Sequence, residues 1–224
     1  MRTGARLGLV VPPAANVVPP EARELFGDQL DVVARGLGIP AMTAEEFDFG
    51  LERLDSAVAD LVEAGAQAVS VMGTSLTFYR GREGNEEVLE RLRVAGGGLP
   101  VTTMSSSVVQ ALRRLQARRI AVVAAYSDDL TERLVRFLVD YGVEAASTVP
   151  LGVERMTDIG SVGDAGLESA AAQALDAAGR ADALLISCGG LRTVRVGQRL
   201  ERALGVPVVS SSVDGMRGAA ALLR

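Results

Sequence analysis

The chain has 224 residues, 48% of them apolar, enough to bury the core of one large domain or of two small ones. Its formal net charge is −5, and its arginines are interleaved with acids, as in "ERLRV" and "LTERLVRFL", so the basic patch of a nucleic-acid-binding protein is missing. Histidine and lysine are absent and there is one cysteine, Cys188. That set excludes an internal disulfide, an ordinary zinc ligand set, a lysine Schiff base, a P-loop lysine and any Ser-His-Asp or Cys-His arrangement.

The leading segment "MRTGARLGLVVPPAAN" has too short an apolar run for a signal peptide, and "RLGLVV" (6–11) reads as a first strand of a cytoplasmic protein. No apolar run is long enough to span a bilayer, so no membrane association is expected. "PPEARELFGDQ" predicts a helix with proline in its first turn, and "LDVVARGLG" a second strand. "TAEEFDFGLERLDSAVADLVEAG" predicts one long amphipathic helix, with Thr43 and Glu46 as a capping box and Gly65 as its stop. "AQAVSVMG" is a strand, "NEEVLERLRVAG" a helix, "LPVTTM" a strand and "SSSVVQALRRLQ" a helix. The order then repeats. "RRIAVVAAY" (strand) precedes "SDDLTERLVRFLVDYG" (helix), "EAASTVPLG" (strand), "AGLESAAAQALDAAG" (helix) and "ADALLISCGG" (strand). "RVGQRLERALG" (helix), "VPVVSSS" (strand) and "VDGMRGAAALLR" (helix) complete the chain. Such alternation predicts an α/β protein with parallel strands buried on both faces.

The two halves also resemble each other residue by residue. "AVSVMGTSL" (68–76) aligns with "ALLISCGGL" (183–191) at a spacing of 115, and "ARLGLVVPP" (5–13) with "ARRIAVVAA" (117–125) at 112. "LPVTTMSSSV" and "VPVVSSSVDG" each place a Pro-Val strand before a serine cluster. A duplication of this kind predicts two similar lobes, 1–115 and 116–205, each a parallel sheet flanked by helices, related by a pseudo-two-fold axis. The hinge falls near "RRLQARR", and the segment 206–224 is expected to pack back on the first lobe. Ligands of parallel sheets bind beyond the carboxyl ends of the strands. "GTS" (73–75) and "CGG" (188–190) are then opposing walls of one cleft, with Gly73 the symmetry mate of Cys188.

A lone thiol beside one cleft can exchange a proton with carbon from one face only. Racemisation needs a group on each face. Decarboxylation needs one, because loss of CO2 itself makes the carbanion. Without a metal or a Schiff base, the electrons of that carbanion must pass into the substrate itself, as an enediolate where a carboxylate is attached. An unperturbed cysteine pKa of about 8.5 leaves the thiol protonated near neutral pH, as a donor requires.

"VVPPAAN", "GTSLTFYRG", "AAYSDD", "ISCGGL" and "GVPVVSSS", in this order over nearly the whole chain, resemble the arylmalonate decarboxylases of the aspartate/glutamate racemase superfamily. The superfamily usually has a cysteine on both walls; here Gly73 replaces the first. The resemblance implies a cofactor-independent, metal-free, monomeric enzyme that decarboxylates α-aryl or α-alkenyl malonates to one enantiomer of the monoacid. Cys188 is then the proton donor. Thr74, Ser75 and Tyr126 hydroxyls, with the Ser75 and Gly189 N–H groups, hold the oxyanion, and Pro13 walls the site. Ile39, Met42, Phe47, Met156 and Ile159 form an apolar pocket for the leaving carboxylate. Asn16 departs from the decarboxylase pattern, which has a small residue there. The superfamily's racemases and maleate isomerases often use asparagine at that position on a substrate carboxylate, so Asn16 implies a smaller or more polar substrate.

Plainer readings of the same residues stand beside these. Free cysteine is commonly an inert core residue. Thr74, Ser75 and the clusters Ser105–Ser107 and Ser210–Ser212 suit helix N-caps. Tyr126, Met42, Met156 and Phe47 suit a core, and "RRLQARR" a solvated face. Two other functions also fit the pattern: an isomerase or racemase of the same superfamily, weakened by Gly73, and a non-catalytic binder of small dicarboxylates.

Overall fold

A computed structural model describes residues 5–224; residues 1–4 of the leading segment lie outside the described residues. The first half runs β1 (Arg6–Val11), α1 (Glu21–Phe26), a 3-10 turn, β2 (Asp31–Gly36), α2 (Ala44–Glu52), α3 (Leu54–Glu63) and β3 (Ala68–Val71). It continues through α4 (Thr74–Phe78), α5 (Gly81–Ala95), β4 (Val101–Thr103) and α6 (Met104–Arg114). The second half runs β5 (Arg119–Ala124), α7 (Asp128–Asp140), β6 (Glu144–Pro150) and a 3-10 segment (Met156–Ser161). After it come α8 (Asp164–Ala178), β7 (Ala183–Ser187), α9 (Val194–Leu204), β8 (Val208–Ser210) and α10 (Ser211–Ala221).

All strand pairs are parallel, in two four-stranded sheets ordered β2-β1-β3-β4 and β6-β5-β7-β8. The identical order is the duplication in folded form. β3 and β7 are buried at every position, as expected of short apolar strands covered by helices on both faces. The register corrects one alignment. Leu7 pairs with Ala68 and Ile120 with Ala183, so β1 and β5 correspond at a spacing of 113, not 112. The shared "AR" at the start of each segment draws the alignment one residue short. The corrected spacing makes Pro13 and Tyr126 counterparts, each just past the end of its strand.

Three local features differ from the sequence reading. The long helix is two helices, broken at Arg53 (φ −91°, ψ −2°). The Arg53 guanidinium donates to the Leu37 carbonyl at 2.6 Å and lies over the Phe49 ring at 4.0 Å, contacts made by tertiary structure rather than helix periodicity. α4 and the 3-10 segment Met156–Ser161 are additional elements. The cap of α6 is Thr103, whose Oγ1 accepts from the Ser106 N–H at 3.0 Å, so Ser105–Ser107 lie inside the first turn. Ser210 does cap α10, accepting from the Val213 N–H, and Thr43 Oγ1 accepts from the Glu46 N–H.

The last segment is divided between lobes. β8 pairs with β7, in the second sheet. In α10, Met216, Ala219, Ala220 and Leu223 just beyond it join Leu7, Leu9 and Val11 of β1 in one core cluster. The lobes also join at the carboxyl ends of the strands. Ala41 and Arg155 form an antiparallel bridge, the Met42 N–H donates to Glu154 O at 2.9 Å, and the Met156 N–H donates to Pro40 O at 3.1 Å. Among the described residues no helix is long and apolar enough to cross a membrane.

Candidate active site

β3 and β7 end at opposite walls of a cavity of about 260 Å³, lined by Gly73, Thr74 and Ser75 from the first lobe and Cys188, Gly189 and Gly190 from the second. Glycines leave the Cys188 wall close to neighbouring side chains. A Cβ on Gly189 would lie 2.7 Å from Met104 Sδ, and one on Gly190 3.1 Å from Ile159 Cγ2.

Cys188 follows β7 directly and is 5% exposed, yet its residue lines the cavity. Burial pushes its thiol up to about 11, against an opposing pull from the Gly190 and Leu191 N–H groups. A thiol so placed keeps its proton near neutral pH and can donate it.

The facing wall is built by the turn from β3 into α4. Gly73 occupies the N-cap and has no side chain to offer, which leaves the first N–H groups of α4 without a side-chain acceptor. Thr74 and Ser75 are buried and line the cavity. The Thr74 hydroxyl donates to Met104 Sδ at 3.0 Å, and its carbonyl accepts from Ser105 Oγ at 3.0 Å, which ties α4 to α6. Tyr126 is fully buried behind this wall, with its hydroxyl 3.2 Å from Ser187 Oγ and the Thr74 and Ser75 hydroxyls beside it. Its ring meets Phe78 edge-on at 5.5 Å. Desolvation holds the phenol well above its ordinary pKa, reinforced by the nearby Cys188, so Tyr126 also keeps its proton.

The apolar side contains Met42, Met156, Ile159 and Pro13, all lining the cavity. Met42 and Met156 come from the two loops that the Ala41–Arg155 bridge joins. Ile39 and Phe47 belong to the core instead. Ile39 lies against Gly50, and Phe47, fully buried, packs on Tyr79 at 5.1 Å. Neither lines the cavity: Ile39, in the loop before α2, packs on that helix at Gly50, and Phe47 is an inward-facing residue of α2 itself. Asn16 is also absent from the lining: it is exposed, and its Oδ1 accepts from the Gly36 N–H at 2.8 Å. Its side chain therefore anchors the 12–16 loop to the end of β2.

Two charged residues of the lining were not singled out in the sequence: Glu21, at the start of α1, and Arg192, four residues after Cys188. Glu21 is 2% exposed, and burial raises its carboxyl above the ordinary range despite the pull of its own backbone N–H and, less, of the Arg192 guanidinium. Arg192 pairs across the lobes with Glu24 and lies 3.5 Å from Glu21 Oε1. No sequence spacing announces a pair 171 positions apart; the position of Glu21 after two prolines in the loop beyond β1 is the one available hint. Among the described residues no group of three or more His, Cys, Asp or Glu is placed to hold a metal ion.

Residues 7–224 match the family model described as arylmalonate decarboxylase. The arylmalonate decarboxylase of Bordetella bronchiseptica is 42% identical over 209 residues, 93% of this chain and 86% of that one. A maleate isomerase of Nocardia farcinica is 29% identical over 223 residues, 94% of this chain and 86% of that one. Among solved structures, a double variant of arylmalonate decarboxylase in liganded form superposes with TM-score 0.94 at 39% identity, covering 97% of this chain and 92% of that one. The unliganded arylmalonate decarboxylase superposes with TM-score 0.88 at 39% identity, covering 98% and 93%. The maleate isomerase of Pseudomonas putida S16 shares the fold, with TM-score 0.87 at 21% identity, covering 98% and 92%. The chain belongs to the arylmalonate decarboxylase family.

Proposed function

We propose that this cavity decarboxylates α-aryl or α-alkenyl malonates without a cofactor and returns one enantiomer of the monoacid. That the protein is a carboxy-lyase follows from its family; the substrate scope and the mechanism are our reading. The observation that carries it is the asymmetry of the two walls: a neutral, buried thiol on one and a glycine on the other.

The steps follow from the lining and from Tyr126 buried behind it. One carboxylate of the malonate lies toward Thr74, Ser75 and Tyr126: the Ser75 and Tyr126 hydroxyls and neighbouring N–H groups offer hydrogen bonds to its oxygens, and the Thr74 hydroxyl joins them by turning from Met104 Sδ. The other lies among Met42, Met156 and Ile159, where no ion or hydrogen-bond donor compensates its charge. Its carbon–carbon bond breaks, CO2 departs, and the electron pair passes to the retained carboxylate as an enediolate. Donors held in place for that developing charge are worth about 3–4 kcal/mol each in measured enzymes. The Cys188 thiol then gives its proton to the α-carbon, and the resulting thiolate regains one from water. Protonation from a single wall makes the product one hand.

The test is CO2 release from methyl(phenyl)malonate with a chelator present, comparing wild type with Cys188→Ala. Chelator-insensitive turnover that falls by about 10²- to 10⁴-fold in the variant, the usual worth of a positioned general acid, supports the reading. Undiminished turnover in Cys188→Ala, or none in folded wild type, contradicts it.

A further inference from the structure

Glu21 is a buried carboxyl that the decarboxylation chemistry does not use. It lines the cavity, its side chain is 3% exposed, and its Oε1 has no hydrogen-bond partner. Arg192 does not supply one. Its Nε lies 3.5 Å from that oxygen without forming a hydrogen bond, and one of its two terminal nitrogens is taken by Glu24. Buried polar atoms are nearly always paired, and one left unpaired in a residue that lines a ligand cavity points to a partner that the ligand brings. The surrounding lining, Val17, Pro19, Pro20 and Met72, offers no side-chain hydrogen-bond donor. Arg192 is 59% exposed, so this end of the cavity faces solvent, away from the enclosed Thr74–Tyr126 wall. With its carboxylates at the Thr74–Ser75 wall and among Met42, Met156 and Ile159, a malonate has only its α-carbon substituents left to reach this end.

We propose that Glu21 selects the substrate, favouring malonates whose aryl group carries a hydroxyl that bonds Oε1. The proposal rests on the decarboxylase reading of the cavity and deepens it. A hydroxyl suits this carboxyl in either protonation state, because it both donates and accepts. A substrate without it leaves the buried oxygen unpaired in the complex, and sites built around a polar partner discriminate strongly against analogues lacking it.

The experiment compares kcat/KM for methyl(phenyl)malonate with its 3-hydroxyphenyl and 4-hydroxyphenyl analogues. We expect one hydroxy isomer to be preferred by about tenfold or more in wild type, falling to about parity in Glu21→Met. Glu21→Gln, which keeps an acceptor oxygen in the same shape, retains part of the preference and serves as the informative variant if Glu21→Met does not fold. Equal kcat/KM for all three substrates in wild type, or a preference untouched in both variants, overturns the proposal. Calorimetric binding of phenylacetate and the hydroxyphenylacetates reads the same contrast without turnover. If wild type decarboxylates none of the malonates, a binding contrast that Glu21→Met removes keeps the Glu21 subsite while the decarboxylase reading falls. Absence of that contrast overturns the subsite as well.

Discussion

Gly73 and Cys188 are the same position of one strand–loop unit, repeated 115 residues apart and set on opposite walls of a single cavity. The backbone at Gly73 (φ −137°, ψ 102°) is extended and accepts any side chain. A Cβ there would lie 2.8 Å from Pro12 Cγ, so the Pro12 ring must give way. Gly73→Cys should therefore fold and present a second thiol. We expect it to exchange the α-proton of 2-phenylpropionate in heavy water, followed by NMR, and to decarboxylate more slowly than wild type. Absence of exchange in a folded variant contradicts the equivalence of the two walls.

Cys188 should behave as a reluctant thiolate. Its pKa is raised to about 11, so the thiol keeps its proton through the neutral range and releases it only as pH rises toward that value. Alkylation by iodoacetamide requires the thiolate and should be slow at neutral pH, climbing about tenfold per pH unit. A plateau beginning near the unperturbed value of about 8.5 contradicts the buried, neutral donor.

Tyr126→Phe removes a phenol and leaves the ring in its place against Phe78. We expect kcat to fall by about 10²-fold, as for loss of one oxyanion donor, with a smaller change in KM. Ser187 loses one partner, which should cost about 1 kcal/mol of stability in denaturant titration. An unchanged kcat places Tyr126 in the core alone.

Gly36→Ala tests how the Pro12–Pro13 wall is held. A Cβ at Gly36 would run into the carbonyl oxygens of Pro13 and Ala14, which are backbone and have little room to move. The same residue donates its N–H to Asn16. Overpacking of this kind costs about 1–3 kcal/mol, and Tm should drop by several degrees. Because the displaced loop lines the cavity, KM should rise as well.

Most of the fold was legible because strands buried on both faces and amphipathic helices write distinct periods, and because the duplication wrote them twice. The site was legible where it followed from that repeat: Gly73, Thr74, Ser75 and Cys188 sit at strand ends, which symmetry sets face to face. What stayed hidden depends on tertiary contacts. Arg53 breaks a helix because Leu37 and Phe49 hold its guanidinium. Ile39 and Phe47 have the right chemistry for the pocket, yet Ile39 packs on α2 at Gly50 and Phe47 faces the core from α2. Asn16 is polar and near the site, but its oxygen is spent on Gly36. Glu21 and Arg192 meet only because the two lobes close on each other.

The central claim is that the proton arrives from the Cys188 wall. The most direct test moves the donor across the cavity: chiral chromatography of the 2-phenylpropionate made from methyl(phenyl)malonate by wild type and by the double variant Gly73→Cys/Cys188→Ser. The account predicts one enantiomer from wild type and the opposite enantiomer from the double variant. The same hand from both proteins, or a racemate from wild type, contradicts it.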